Sequence, residues 1–228
     1  ILYHMLGELS TNPLGFLFGI LALIIAITIH EFAHAWAADR LGDPTPRLMG
    51  RLTLNPLAHL DPIGTIMLLI VRFGWGKPVQ FDPYNLRHPR RDSAIISVAG
   101  PVSNLLLALT CSILLNVLMS FSASSFNYSF IQLFMYFIIS LLQPLIIYNV
   151  ILAIFNLVPI HPLDGFKIVG GILPEEYARQ WADLERYGMI FLIFLILPLG
   201  GGVSPIHQII SPVISFILGL LLPVARFI

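Results

Sequence analysis

Charge is what this sequence has least of. Only 11% of its 228 residues are Asp, Glu, Lys or Arg, against 57% hydrophobic, where a soluble domain carries about a quarter charged residues. So little polar surface cannot cover so apolar an interior, which excludes an ordinary water-soluble globule and makes lipid part of the solvent. Cysteine is nearly missing. The single Cys111 can form no internal disulfide, and in its apolar run it reads as a packing residue rather than a nucleophile. Net charge is zero, with 12 basic and 12 acidic side chains, so nothing points to nucleic acid. No basic stretch precedes the first apolar run, so no cleaved signal peptide is expected. Internal repeats and low-complexity tracts are lacking too.

What the chain has in quantity is apolar runs close to the roughly twenty residues that cross a bilayer. Five transmembrane helices are predicted, over residues 13–38, 93–121, 130–157, 187–199 and 205–224. The fold class is therefore an all-α polytopic membrane protein, a single domain over 1–228. Asn12-Pro13 is a good helix start for the first. Ile63 to Val71 is too short to span and reads as a re-entrant or interfacial piece. Residues 39–92 also hold short alternating pieces, Arg51-Leu52-Thr53-Leu54 and Pro78-Val79-Gln80-Phe81, bounded by Pro and Gly. They read as short strands or a β-hairpin near the membrane face, the alternative being an irregular loop.

Basic residues are absent from the loops Ser122 to Ser129 and Gly200 to Ser204. All twelve lie in Arg40 to Arg91, Lys167 to Arg186, and at Arg226, after the first, third and fifth segments. An alternating chain puts those groups on one side. The positive-inside rule makes that side the cytosol, with the N-terminus outside and the cell membrane as location.

Polar residues inside the apolar runs are few, which makes His30-Glu31-Phe32-Ala33-His34 stand out. Residues four apart share a helical face, so both imidazoles can reach one ion. Glu31 is then placed to take a proton from an attacking water. Two His and a Glu near the end of an apolar helix are costly in lipid unless they pair or bind something. A catalytic zinc has three protein ligands, and the third should lie on the side of the membrane where His34 sits. The third segment ends there as Asn156-Leu157-Val158-Pro159-Ile160-His161-Pro162-Leu163-Asp164-Gly165. Its prolines stop a regular helix, and non-helical backbone at this depth must line a cavity or be buried by protein. Asp164, followed by a flexible glycine, is the best third ligand. His161 is a candidate extra ligand or a polar residue at the cavity mouth. Glu175 and Glu176 are alternative carboxylates, although after Pro174 they read as the acidic first turn of a helix. His59 and His88 read as solvated or locally bonded, His207 as lying near the opposite face, and Asn104 as interhelical glue or a substrate contact.

On these two motifs the chain resembles the site-2 protease family of intramembrane metalloproteases, in which H-E-x-x-H pairs with a distant N-x-x-P-x-x-x-L-D-G. The second pattern matches at Asn156, Pro159, Leu163, Asp164 and Gly165, and Ala99-Gly100-Pro101 with Asn104 resembles a further family motif. The likeness covers Leu14 to Gly171. It implies one zinc ion held by His30, His34 and Asp164, with Glu31 as the proton carrier. It also implies hydrolysis within or next to transmembrane helices of single-span or remnant membrane proteins. By resemblance Asn156 holds the substrate backbone or the oxyanion; its other reading is a C-terminal helix cap. Larger relatives add PDZ or CBS modules, so this sequence resembles the compact members. A substrate segment added to an edge strand from the Leu52 or Val79 region is a further expectation.

Two rivals remain at this point, a membrane metal transporter and a non-catalytic relative that binds membrane helices. Transport needs polar groups at several depths, and the later segments have no Asp, Glu, Lys or Arg in their middles. Iron or cobalt suits the same ligands as zinc.

Overall fold

The computed structural model describes residues 12–64, 76–122, 129–198 and 202–222. Helix α1, Pro13–Leu41, begins where Asn12 accepts a hydrogen bond from the Gly15 N–H at 2.9 Å and Pro13 occupies the first turn. It runs three residues past the expected Ala38 and stops at Gly42, whose φ of 109° is a left-handed conformation that suits glycine. Helix α2, Pro89–Ser122, starts ahead of the expected Ser93 because the Asp92 carboxylate accepts the His88 N–H at 2.9 Å. Helix α3 is Ser129–Asn156. Four shorter helices follow: α4, Asp164–Ile172, α5, Glu175–Asp183, α6, Glu185–Ile196, and α7, Pro205–Leu221. Glu175 and Glu176 do occupy the first turn of α5.

Among the described residues three helices, α1 to α3, are long and apolar enough to cross a membrane. The fourth and fifth expected spans are helical but shorter. Helix α6 has 12 residues, about 18 Å at roughly 1.5 Å per residue. Helix α7 has 17, about 26 Å, against a hydrocarbon core of about 30 Å.

Close approach of α1, α2 and α3 follows from small residues where they meet. Ala22, Ala26, Ala108 and Ala153 are all fully buried, and without bulk at those positions the backbones can come together in lipid. Around them pack Leu115, Ile146 and Val150, with Ile214 contributed by α7. Cys111 lies in this cluster as a packing residue. Outward-facing Leu106, Leu133, Phe137, Phe216 and Leu220 are more than half exposed, an apolar skin that lipid, not water, can cover.

The expected strands are not formed; the described residues contain no strand. One isolated bridge joins Leu60 and Gly76, and Lys77 N–H donates to His59 O at 2.7 Å. Pairing goes no further because Pro56 and Pro78 carry no N–H, and because the Val79 N–H is directed at a side chain on α1. Residues 65–75, most of the expected re-entrant piece, lie outside the described residues. The rest of the loop is held by buried polar groups. The Arg51 guanidinium donates to the carbonyls of Ala58 and Lys77.

Asp43, fully buried, accepts from the Thr45 hydroxyl and N–H, the Asn85 amide and the Asp82 N–H. Burial works to raise its pKa, but those hydrogen bonds outweigh it and hold the carboxyl below the usual carboxylate range. Asp43→Ala should lower stability by roughly 1–3 kcal/mol, since buried donors lose their acceptor. The carboxylate's contribution is complete above its unfolded pKa of about 3.9 and fades as pH falls through the lower folded value. Wild type should therefore lose stability below about pH 4 more steeply than Asp43→Ala, as read from melting curves across pH.

Candidate metal centre

His30 and His34 lie one turn apart on α1 and both are buried. Asp164 opens α4, across the loop that follows α3. Three atoms converge. His30 Nε2 is 3.0 Å from His34 Nε2, and the Asp164 Oδ2 lies 3.1 Å from the first and 3.2 Å from the second. Among the described residues no other group of three His, Cys, Asp or Glu comes together in this way.

The outer hydrogen bonds decide where the protons are. His34 Nδ1 sits 2.7 Å from the carbonyl of Ile96, an acceptor only, so the proton is on Nδ1. His30 Nδ1 sits 2.6 Å from Asn104 Oδ1. That amide cannot be turned round, because its Nδ2 donates to Ala26 O at 3.0 Å and to Asn149 Oδ1 at 2.6 Å. Asn149 is fixed in turn, donating to Leu145 O at 2.8 Å. Strict acceptors at both ends thus orient the chain of amides, and His30 also carries its proton on Nδ1. In these neutral tautomers both Nε2 lone pairs face the buried Asp164 Oδ2. Three electron pairs this close repel unless a cation sits among them. The donor set, two imidazoles and one carboxylate, fits zinc with a position to spare.

Two glycines make the convergence possible. A Cβ on Gly100 of α2 would lie 2.5 Å from Cε1 and Nε2 of His34 and 2.7 Å from Cε1 of His30, so the backbone of α2 is one wall of the centre. A Cβ on Gly165 would strike the carbonyls of Leu157 and Val158. Gly165 serves by being small, letting α4 dock on the end of α3, and its expected flexibility is not needed.

Glu31 is half-buried and outside the trio; its Oε2 accepts the Val79 N–H at 2.8 Å. Asn156, last residue of α3, donates one Nδ2 hydrogen to Leu152 O at 3.0 Å, consistent with a helix-terminal role for at least half of its donor capacity. His161 is 3.5 Å from Glu185 and edge-on to Phe166, away from the trio. Glu175 pairs with Arg179 at 2.6 Å on the exposed face of α5. His59 is buried and bonds Thr53 O at 2.8 Å. Asn149 escaped the reading of the sequence. The signal was there: an amide between Tyr148 and Val150, in a predominantly apolar spanning helix, needs an inward partner.

The model of peptidase family M50 matches residues 18–200. The chain is 38% identical over 185 residues to a Bacillus subtilis protein named "Putative zinc metalloprotease YwhC", covering 79% of this chain and 81% of that one. It is 31% identical over 201 residues to "Putative zinc metalloprotease Rip2" of Mycolicibacterium smegmatis, 82% of this chain and 71% of that one. The Mycobacterium tuberculosis protein of that name is 30% identical over 202 residues, 84% and 72% of the two chains. No solved structure gives a significant match.

Asn149→Leu takes from Asn104 the acceptor that helps fix its orientation. Affinity for a divalent metal should fall about 10- to 100-fold with helix content unchanged. Titration against a competing chelator measures it, and an unaltered affinity would mean that Ala26 O alone suffices.

Proposed function

The chain belongs to peptidase family M50, the site-2 protease family, and on that footing we propose that it is a zinc-dependent intramembrane endopeptidase. Its substrates would be single-span or remnant membrane proteins, cut within or next to a transmembrane helix. The observation that carries this reading is the trio of ligand atoms within 3.2 Å of one another, one residue from a carboxylate on the same helix.

In this reading His30, His34 and Asp164 hold the metal. Zinc there supplies a Lewis acid, polarising the scissile carbonyl and making water more acidic. Asn104 and the Ile96 carbonyl keep both imidazoles in the tautomer that leaves Nε2 available. Glu31 handles protons. With Oε2 engaged by Val79, Oε1 takes the proton of the attacking water and returns it to the leaving amine. Asn156 has a second Nδ2 hydrogen beyond the one given to Leu152, and that hydrogen is the donor we assign to the substrate backbone or oxyanion.

We place α6 and α7 in the membrane beside α1 to α3, for five spans in all. Leu192 of α6 and Ile206 of α7 share a buried cluster with Leu163, next to the third ligand. The sorting of all twelve basic residues supports an outside N-terminus and a centre opening toward the cytosol.

Purified protein should cleave a candidate single-span substrate and contain one zinc per chain. Glu31→Gln should lower the rate at least about 100-fold while keeping zinc, and Asp164→Ala should lose both. Zinc flux into proteoliposomes, with no cleavage of any co-expressed membrane protein, would replace this reading with transport.

A further inference from the structure

Two adjoining cavities on the outer face of α2 play no part in the metal centre. One, about 450 Å³, lies between the end of α1 and the start of α2, and its polar lining is Arg40, Arg87, His88, Arg91 and Asp92. The other, about 290 Å³, shares Arg91 and Ile95 with the first and continues along Ala94, Val98, Ile168 and Ile172 between α2 and α4. Apart from that arginine its walls are wholly apolar.

The charges of the first cavity are uncompensated. Three guanidinium groups face one carboxylate, and Asp92 is turned to the His88 N–H at 2.9 Å. Among the described residues Arg87 and Arg91 have no acidic partner, and the contact of Arg40 is the ring of Trp36, 5.4 Å away. That indole is half exposed, one turn before the end of the first spanning helix. Exposed Trp and Arg at a span terminus mark the headgroup level of a bilayer. The polar cavity therefore opens among headgroups. Ile95 and Val98, three residues apart, carry the apolar cavity along one face of α2 to hydrocarbon depth.

We propose that the two cavities together bind one anionic phospholipid, its phosphate against Arg40, Arg87 and Arg91 and an acyl chain along Ala94, Val98 and Ile172. A free phosphate would fill only the first cavity and leave the second without an occupant. A zwitterionic headgroup would bring its own cation into a site that already has excess positive charge. An anionic amphiphile answers both halves. The site does not depend on the hydrolytic reading. It adjoins the metal centre all the same, because the turn that lines it contains Ile96, whose carbonyl holds His34.

The test uses the full chain in detergent and native mass spectrometry with dioleoylphosphatidylglycerol, dioleoylphosphatidylcholine or inorganic phosphate. The phosphatidylglycerol adduct should persist where the phosphatidylcholine adduct does not. The triple variant R40Q/R87Q/R91Q should bind phosphatidylglycerol roughly 100-fold more weakly, having lost three basic contacts. The charge-matched control R47Q/R179Q/R186Q should bind as wild type does. Val98→Phe, checked for an unchanged melting transition, should weaken the lipid although every arginine remains. Equal retention of both lipids, or binding that survives the triple variant, overturns the proposal. So does phosphate that displaces the lipid at matched concentration, since the site would then be one for a free anion.

Discussion

Two imidazole nitrogens and a carboxylate oxygen, held about one hydrogen-bond length apart, set the terms for everything around them. Left alone such a group is unstable. Each lone pair raises the energy of the others, and low-dielectric surroundings strengthen the repulsion. The fold supplies rigidity from outside to keep the group assembled. Carbonyls of Ile96, Ala26 and Leu145 anchor the hydrogen-bond network on three helices, and no link in it can be reversed without setting acceptor against acceptor. The stable response to that enforced electron density is a shared cation.

The same demand explains the use of small residues. The centre needs helix backbone, not side chains, at its edge, so Gly100 stands against the rings and Gly165 against the end of α3. Alanines at the crossings of α1, α2 and α3 bring the carrying helices close enough for Asn104 and Asn149 to meet. Helix packing and ligand placement are one geometric problem here, and a single added methyl group at residue 100 would disturb both.

Much of this was legible in the sequence. The spacing of His30 and His34 gave their common face, and the prolines after Asn156 marked where the third segment must open and deliver Asp164. The three long helices followed from their apolar length. The loop between α1 and α2 was misread because alternation alone does not make a ladder. Pro56 and Pro78 remove donors, and the donor of Val79 is taken by Glu31. The shortness of the fourth run, 187–199, was legible too, α6 having 12 residues, whereas α7 stops at Leu221, three residues before the expected end. Asn149 went unnoticed because it belongs to no motif and is one of four amides in α3, with Gln132, Gln143 and Asn156; its meaning appears only when Asn104 from another helix stands 2.6 Å away.

The bond between Glu31 and Val79 has a mechanical consequence. It ties an acidic group within the first spanning helix to a stretch of chain, residues 77–81, that belongs to the connection outside that helix. The aim of the carboxylate is thus set partly by a lever beyond the helix. Whatever pulls on the lever turns the carboxylate, while an inhibitor shaped only to the two imidazoles and Asp164 would leave that control untouched.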